Sequence, residues 1–257
     1  MAAETLAGRR VVITRAADRA AGLVQRLRAL GAEPIVFSTI AHAPPDDLAP
    51  FDDALQRLVA GGYDWLVLTS VTAVYALAER MRALDIGTAV LMHQEVATVG
   101  PATAASYTAQ FGWIPELLPE RFDAYALADA MDDVSGKRLL LANADIARDT
   151  LERRLAEHGA LVERVIAYRT VPAPASEIDI NSMLVDGQID AIFFSSGSTV
   201  RFFLARLSDA ALAALHAVVL ICIGPSTAET LREGGYTPIV AREASEAGLV
   251  EALLARP

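Results

Sequence analysis

The sequence runs to 257 residues, a length that suits one large domain or two modest ones. Hydrophobic residues make up 53% and charged residues 21%, with 16 Gly and 12 Pro, a globular balance that excludes a fibrous or disordered chain. Acids outnumber bases by 32 to 22, and the net charge of −10 argues against nucleic acid or an anionic membrane as a partner.

Met1 to Arg10 lacks the apolar stretch of a secretory signal, and no later apolar run is long enough to span a bilayer. The chain is therefore expected in the cytoplasm. Short aliphatic runs then alternate with helix-patterned segments: Val11 to Thr14, Trp65 to Thr69, Val96 to Val99, Leu139 to Ala142, Ala191 to Phe194 and Val218 to Ile223. Each is apolar on both faces and leads through a polar or Gly/Pro turn into a helix. Strands of that kind belong to a parallel sheet covered on two sides, so the predicted class is α/β. Two longer extended stretches, Pro34 to Ile40 and Leu161 to Val171, each follow a Gly-Ala turn. Lys137, the only lysine, stands just before the fourth run and reads as solvated. Cys222, the only cysteine, lies in an apolar run and reads as a buried, inert thiol, which rules out a disulfide framework.

The order of these runs repeats. Asp64-Trp65-Leu66-Val67-Leu68-Thr69-Ser70 aligns with Asp190-Ala191-Ile192-Phe193-Phe194-Ser195-Ser196, and Val99-Gly100-Pro101-Ala102-Thr103-Ala104 with Ile223-Gly224-Pro225-Ser226-Thr227-Ala228. Gly8-Arg9-Arg10-Val11 aligns with Gly136-Lys137-Arg138-Leu139, and Arg26 to Ala32 with Arg154 to Ala160. The offsets are 126, 124, 128 and 128, too steady for chance. Two copies of one α/β unit, with a cleft between two domains, are expected. From the residues alone, the boundaries fit two consecutive halves as well as a middle domain flanked by a domain built from both ends.

No dinucleotide fingerprint or phosphate loop is present, and His42, His93, His158 and His216 lack ligand spacing, so neither cofactor nor metal is expected. A Gly-x-Ser-x-Gly elbow is also missing, which disfavours a serine hydrolase. What the sequence does carry is four hydroxyl-rich turns: Thr69-Ser70, Gly100-Pro101-Ala102-Thr103, Ser195-Ser196-Gly197-Ser198 and Gly224-Pro225-Ser226-Thr227. Each ends a strand and opens a helix, where backbone N–H groups lack intrahelical partners and the dipole is positive. Ser and Thr add donors, so such turns suit carboxylates or phosphates, although the same residues also serve as plain N-caps. Arg15 ends the first strand and Arg148 opens a later helix; either could clamp a carboxylate, or pair with Asp18 and Asp145. Arg164 and Arg169 flank a strand and read as solvated.

Taken together, Val-Val-Ile-Thr-Arg15, Leu-Thr-Ser70-x-x-Ala-Val, Val-Gly-Pro-Ala-Thr103-Ala, Ala-Asp-Ile-Ala-Arg148-Asp-x-Leu, Val-Ile-Ala-Tyr168-Arg-Thr, Phe-Phe-Ser195-Ser-Gly-Ser-x-Val and Ile-Gly-Pro-Ser-Thr227-Ala resemble the uroporphyrinogen-III synthase family over nearly the whole chain. The resemblance implies two similar doubly wound parallel-sheet domains joined by a two-stranded ladder. Residues 1–36 with 172–257 would form the first, 41–166 the second, and 37–40 with 167–171 the ladder. It also implies a cofactor-free hydro-lyase acting on hydroxymethylbilane, inverting ring D through a spiro intermediate and losing water to give uroporphyrinogen III. Under this resemblance Tyr168 stands beside the leaving hydroxyl as a general acid or hydrogen-bond donor, which a phenol of ordinary pKa can be at neutral pH. Arg15, Ser70, Thr103, Arg148, Ser195, Ser196, Gly197, Ser226 and Thr227 would bind the substrate. The chain departs from the family at Val71-Thr72 and Gly197-Ser198, where Pro-Arg and Pro-Ser are common, and at Asn143, where many members carry Arg. A monomer acting on a small molecule is expected. The alternative is a non-catalytic, two-lobed protein that binds a tetrapyrrole or another polycarboxylate.

Overall fold

The computed structural model describes residues 5–131 and 133–256; the first four residues and the Asp18 side chain lie outside it. In chain order the elements are β1 (Arg10–Ile13), α1 (Ala21–Ala29), β2 (Glu33–Val36), β3 (Ile40–Ala43), α2 (Ala49–Val59), β4 (Trp65–Leu68), α3 (Val71–Ala83), β5 (Glu95–Thr98), α4 (Pro101–Phe111), α5 (Ala124–Ala130) and β6 (Arg138–Ala144). They continue with α6 (Thr150–Glu157), β7 (Leu161–Pro172), α7 (Ile180–Val185), β8 (Ala191–Phe194), α8 (Gly197–Leu204), α9 (Asp209–Ala214), β9 (Val219–Cys222), α10 (Pro225–Glu233), β10 (Ile239–Val240) and α11 (Glu246–Leu254). The six expected strands are all present near their sequence bounds. Leu161 to Val171 is one strand, β7, but Pro34 to Ile40 is not. That stretch breaks after Val36, where the Phe37 ring turns into the core, and resumes as β3.

The chain divides into two compact units, Met1–Ala41 with Val171–Pro257, and His42–Thr170. One sheet runs β10-β9-β8-β1-β2 and the other β3-β7-β6-β4-β5. The pairings of β1 with β2 and β8, of β9 with β8 and β10, of β4 with β5 and β6, and of β6 with β7 are all parallel. Each sheet is buried on both faces, as the unbroken apolar runs require. In β4, Leu66 and Leu68 enter one core while Val67 enters another; in β8, Ile192 and Phe194 face one core and Ala191 and Phe193 the opposite one.

The two sequence repeats do not map one to one onto the two units. Position by position, β1 corresponds to β6, β2 to β7, β8 to β4 and β9 to β5. In space the order is the same, β2-β1-β8-β9 in one sheet and β7-β6-β4-β5 in the other. Each unit therefore joins the first half of one repeat to the second half of the other. Matched aspartates mark the joints. Asp190 Oδ2 accepts the Arg10 backbone N–H at 2.7 Å, and Asp64 Oδ2 accepts that of Arg138 at 2.7 Å. An edge pairing repeats as well, since Ala97 bridges Leu117 in parallel just as Ile221 pairs with Ile239.

At the carboxyl end of each sheet the chain turns into helices that local chemistry starts. Ser70 and Ser196 are N-caps whose hydroxyls accept the N–H groups of Ala73 and Thr199, while Gly100 and Gly224 are N-caps followed by proline. All four turns sit at the edge where parallel-sheet proteins bind ligands.

Candidate functional site

In the unit His42–Thr170, β4 ends at Leu68 and Thr69-Ser70 leads into α3. The Ser70 hydroxyl accepts the Ala73 N–H at 3.1 Å and lies 3.1 Å from the Tyr168 phenol oxygen. Tyr168 is half-buried on β7, and its ring meets His42 of β3 edge to face, with centroids 5.2 Å apart and planes at 89°. Its backbone is fixed by an irregularity in the neighbouring strand. The β6–β7 register shifts between Asn143 and Ala144, so Asp145 N–H reaches the Tyr168 carbonyl at 3.1 Å and Asp145 Oδ1 takes the Thr170 N–H at 3.0 Å. Asn143 is 3% exposed, and its amide oxygen accepts from the Thr69 hydroxyl at 2.5 Å.

The next turn of that unit holds Thr103 in the first turn of α4. The residue is 5% exposed, its N–H bonded to the Gly100 carbonyl at 3.0 Å. Its repeat mate Thr227, also 5% exposed, occupies the same place in α10 of the other unit, with Ser226 exposed beside it. Among the described residues neither threonine hydroxyl has a hydrogen-bond partner. Capping has not consumed them, so both are available to a ligand.

In the other unit Arg15 follows β1, and its side chain is only 15% exposed. Its Nε donates to the Ser195 hydroxyl at 3.1 Å, and its Nη1 donates to Glu246 Oε1 at 2.6 Å and to the Arg19 carbonyl at 3.2 Å. The expected alternative partner, the Asp18 side chain, lies outside the described residues. Ser196 closes a reciprocal cap with Thr199 and meets the Ser198 hydroxyl at 2.8 Å. Gly197 has a packing reason for lacking a side chain: a Cβ there would stand 2.7 Å from the Thr230 hydroxyl on α10.

Arg148 is exposed between the β6 irregularity and α6 and makes no hydrogen bond or ion pair among the described residues, while the Asp145 carboxylate is taken up by the Thr170 amide. Arg164 and Arg169, expected to be solvated, are engaged instead. Arg164 donates to the carbonyls of Ala144 and Ala147, and Arg169 pairs with Asp46 at 2.7 Å. Lys137 is exposed, whereas Cys222 is buried on β9 and burial pushes its thiol up to about 12, too high for a nucleophile at neutral pH. No group of three or more His, Cys, Asp or Glu among the described residues is placed to hold a metal ion, and no helix among them is long and apolar enough to cross a membrane.

The sequence reading anticipated Ser70 and Tyr168 separately, and the structure brings them into contact; it likewise joins Arg15 to Ser195. It missed His42 and Glu246. The isolated His42 gave no pattern, and Glu246 reaches Arg15 across 231 positions of sequence. The pairing of Thr69 with Asn143 is the repeat counterpart of Ser195 with Arg15, related by offsets of 126 and 128, and becomes visible only once one of the two contacts is seen.

The family model described as uroporphyrinogen-III synthase HemD matches residues 21–251. A uroporphyrinogen-III synthase of Synechococcus elongatus is 30% identical over 265 residues, covering 98% of this chain and 97% of that protein. The porphyrin biosynthesis protein HemD of Ruminiclostridium josui is 29% identical over 251 residues, and the chain spans about half its length, 49%. Among solved structures, a mutant uroporphyrinogen III synthase of Thermus thermophilus aligns over 97% of this chain and 100% of its own, at 23% identity and a TM-score of 0.66. The Helicobacter pylori uroporphyrinogen-III synthetase aligns over the same shares at 17% identity and a TM-score of 0.63. At these identities the two structures speak for the fold.

Proposed function

The chain belongs to the uroporphyrinogen-III synthase family, and on that premise we propose that it closes hydroxymethylbilane into uroporphyrinogen III, inverting ring D and losing water. The observation that carries the reading into chemistry is the Tyr168 phenol held 3.1 Å from the Ser70 hydroxyl. Ser70 accepts the Ala73 N–H, so its own proton can point to the phenol oxygen. Tyr168 then offers its proton to the departing hydroxyl of the substrate, as a donor rather than as a base. The carboxylates of the bilane are met by Arg15, Arg148, the unused hydroxyls of Thr103 and Thr227, and the turns at Ser195-Ser196-Gly197 and Ser226. With a net charge of −10, attraction comes from these local donors and not from the field of the whole molecule.

Orientation outweighs acid strength here. A reactive linear tetrapyrrole closes unaided to the uninverted isomer, so catalysis consists of holding the chain where ring D reacts at its substituted carbon. The protein is proposed to act as a monomer in the cytoplasm. The test is incubation of the purified protein with hydroxymethylbilane and isomer analysis of the porphyrins after oxidation. The III isomer should form faster than the I isomer arises spontaneously. Tight tetrapyrrole binding without any III isomer would replace this reading with a non-catalytic polycarboxylate-binding protein.

A further inference from the structure

The ion pair that fills Arg15 carries an inference of its own, resting on the reading of Arg15 as a carboxylate-binding residue. A guanidinium binds a carboxylate best through two parallel N–H bonds, either along its Nε edge or across its two terminal nitrogens. Arg15 offers neither edge intact. Ser195 holds Nε, and Glu246 with the Arg19 carbonyl holds Nη1. An incoming bidentate carboxylate must displace one of these partners, and among the described residues Glu246 is the one of matching chemistry.

Glu246 is also built to be in that position and to leave it. Its side chain is 30% exposed in the first turn of α11, where the helix dipole favours a carboxylate on or off Arg15. Its second oxygen is 3.9 Å from Arg26 Nε, a cation that stays with it when Arg15 is given up. Room for the carboxylate comes from Gly22 on α1, where a Cβ would stand 2.6 Å from Glu246 Oε2. Gly22 lies in the first turn of α1, and an alanine methyl there would crowd this oxygen, so glycine leaves the carboxylate its seat. The equivalent place in the other unit keeps only the outer cation, Arg154 for Arg26: Asn143 replaces Arg15, Thr150 replaces Gly22, and Ala124, which follows the N-cap Asp123 as Glu246 follows Ser245, replaces Glu246. The seat is therefore no requirement of the fold.

We infer that Glu246 is a resident carboxylate occupying the seat of a substrate carboxylate on Arg15, and that productive binding exchanges one acid for the other. Such a competitor weakens every ligand that cannot present a carboxylate at that point, making Glu246 a specificity-determining residue. Its own charge is compensated during the exchange by Arg26 and the helix terminus.

The experiment compares KM for hydroxymethylbilane in the parent, Glu246→Gln, Gly22→Ala, Arg15→Gln and the double variant Arg15→Gln/Glu246→Gln. Removing the competitor should lower KM about twofold to fivefold, the range a partly exposed ion pair supplies. Gly22→Ala dislodges the same carboxylate without removing its charge and should move KM in the same direction. In the Arg15→Gln background, Glu246→Gln should no longer lower it. A rise in KM in Glu246→Gln would overturn the inference, because Glu246 would then be holding Arg15 in its working position. An unchanged KM would also overturn it, because Arg15 would then receive no carboxylate. A parent protein that does not turn over counts against the proposed function alone; fluorescence titration of the same variants with uroporphyrin III then reads the exchange without catalysis.

Discussion

Two ends of equivalent strands make the same contact with different chemistry. After β1, the guanidinium of Arg15 donates to the Ser195 hydroxyl; at the end of β6, the Asn143 amide accepts from the Thr69 hydroxyl. Each contact ties the first half of one repeat to the second half of the other, at the carboxyl edge of its own sheet. A polar group that is buried there must be paired, because an unpaired one costs about 1–3 kcal/mol. The fold thus demands a hydrogen bond at this point but no charge. At this strand end, among the described residues, charge appears in one unit, with Glu246 as its counter-ion, while the unit whose strand end is neutral carries Tyr168 beside Ser70. At this strand end the two copies differ in chemistry, one carrying an ion pair and the other a neutral hydrogen bond.

The sharpest way to break this comparison is through α11, which brings Glu246 to Arg15. Gly248 in α11 and Ala126 in α5 stand at the same place after their helix N-caps, Ser245 and Asp123, yet a Cβ on Gly248 would run into the Glu243 carbonyl. Gly248→Ala should lower stability by about 3 kcal/mol through this overpacking. Ala126→Gly should cost only about 1 kcal/mol, by helix propensity. Urea midpoints of the two variants measure the difference, and equal losses would mean that the helices sit alike in both units.

Next in size is the chemistry assigned to the neutral unit. Tyr168→Phe keeps the ring against His42 but removes the phenol, and kcat should fall about a hundredfold while the product stays the III isomer. The place of Tyr168 in the other repeat is Ile40, so no second phenol compensates. Full turnover in this variant would remove Tyr168 from the mechanism. A smaller contrast separates the two strand-end pairs. Arg15→Gln should raise KM about tenfold and flatten its dependence on salt, whereas Asn143→Ala should raise it about threefold and leave the salt slope as it was. KM measured at two ionic strengths decides, and matching slopes would erase the charged-versus-neutral distinction.

Much of this was legible in the sequence because strand and turn signals are local. Six apolar runs, four hydroxyl turns and the constant offsets located the strands and the helix openings. Pro34 to Ile40 was misread as continuous because Phe37 suits a strand as well as a core, and only packing decides between them. The offsets left the exchange of repeat halves between units open, since they record which segments correspond and not which pair in space; only the family resemblance suggested joining residues 1–36 to 172–257. The contact of Glu246 with Arg15, like the ring of His42 against Tyr168, depends on long-range pairing that no local pattern encodes.

The smallest effect sits deepest, where the two repeats put Thr98 and Cys222 at the same strand position. Both are fully buried, and among the described residues the Thr98 hydroxyl has no hydrogen-bond partner. Thr98→Val keeps the shape and removes an unsatisfied oxygen, so it should raise stability by about 1 kcal/mol. Cys222 meets the same apolar demand without penalty as long as it stays a thiol. Burial raises its folded pKa to about 12, above the ordinary value near 8.5 of an unfolded chain. The stabilisation from keeping it neutral is thus complete below about pH 8.5 and is lost as pH climbs from there toward 12. At pH 9 iodoacetamide should leave Cys222 of the folded protein untouched and label it within minutes in urea. Thr98→Cys should behave identically, and rapid native labelling at either position would show that the corresponding strand is open to solvent.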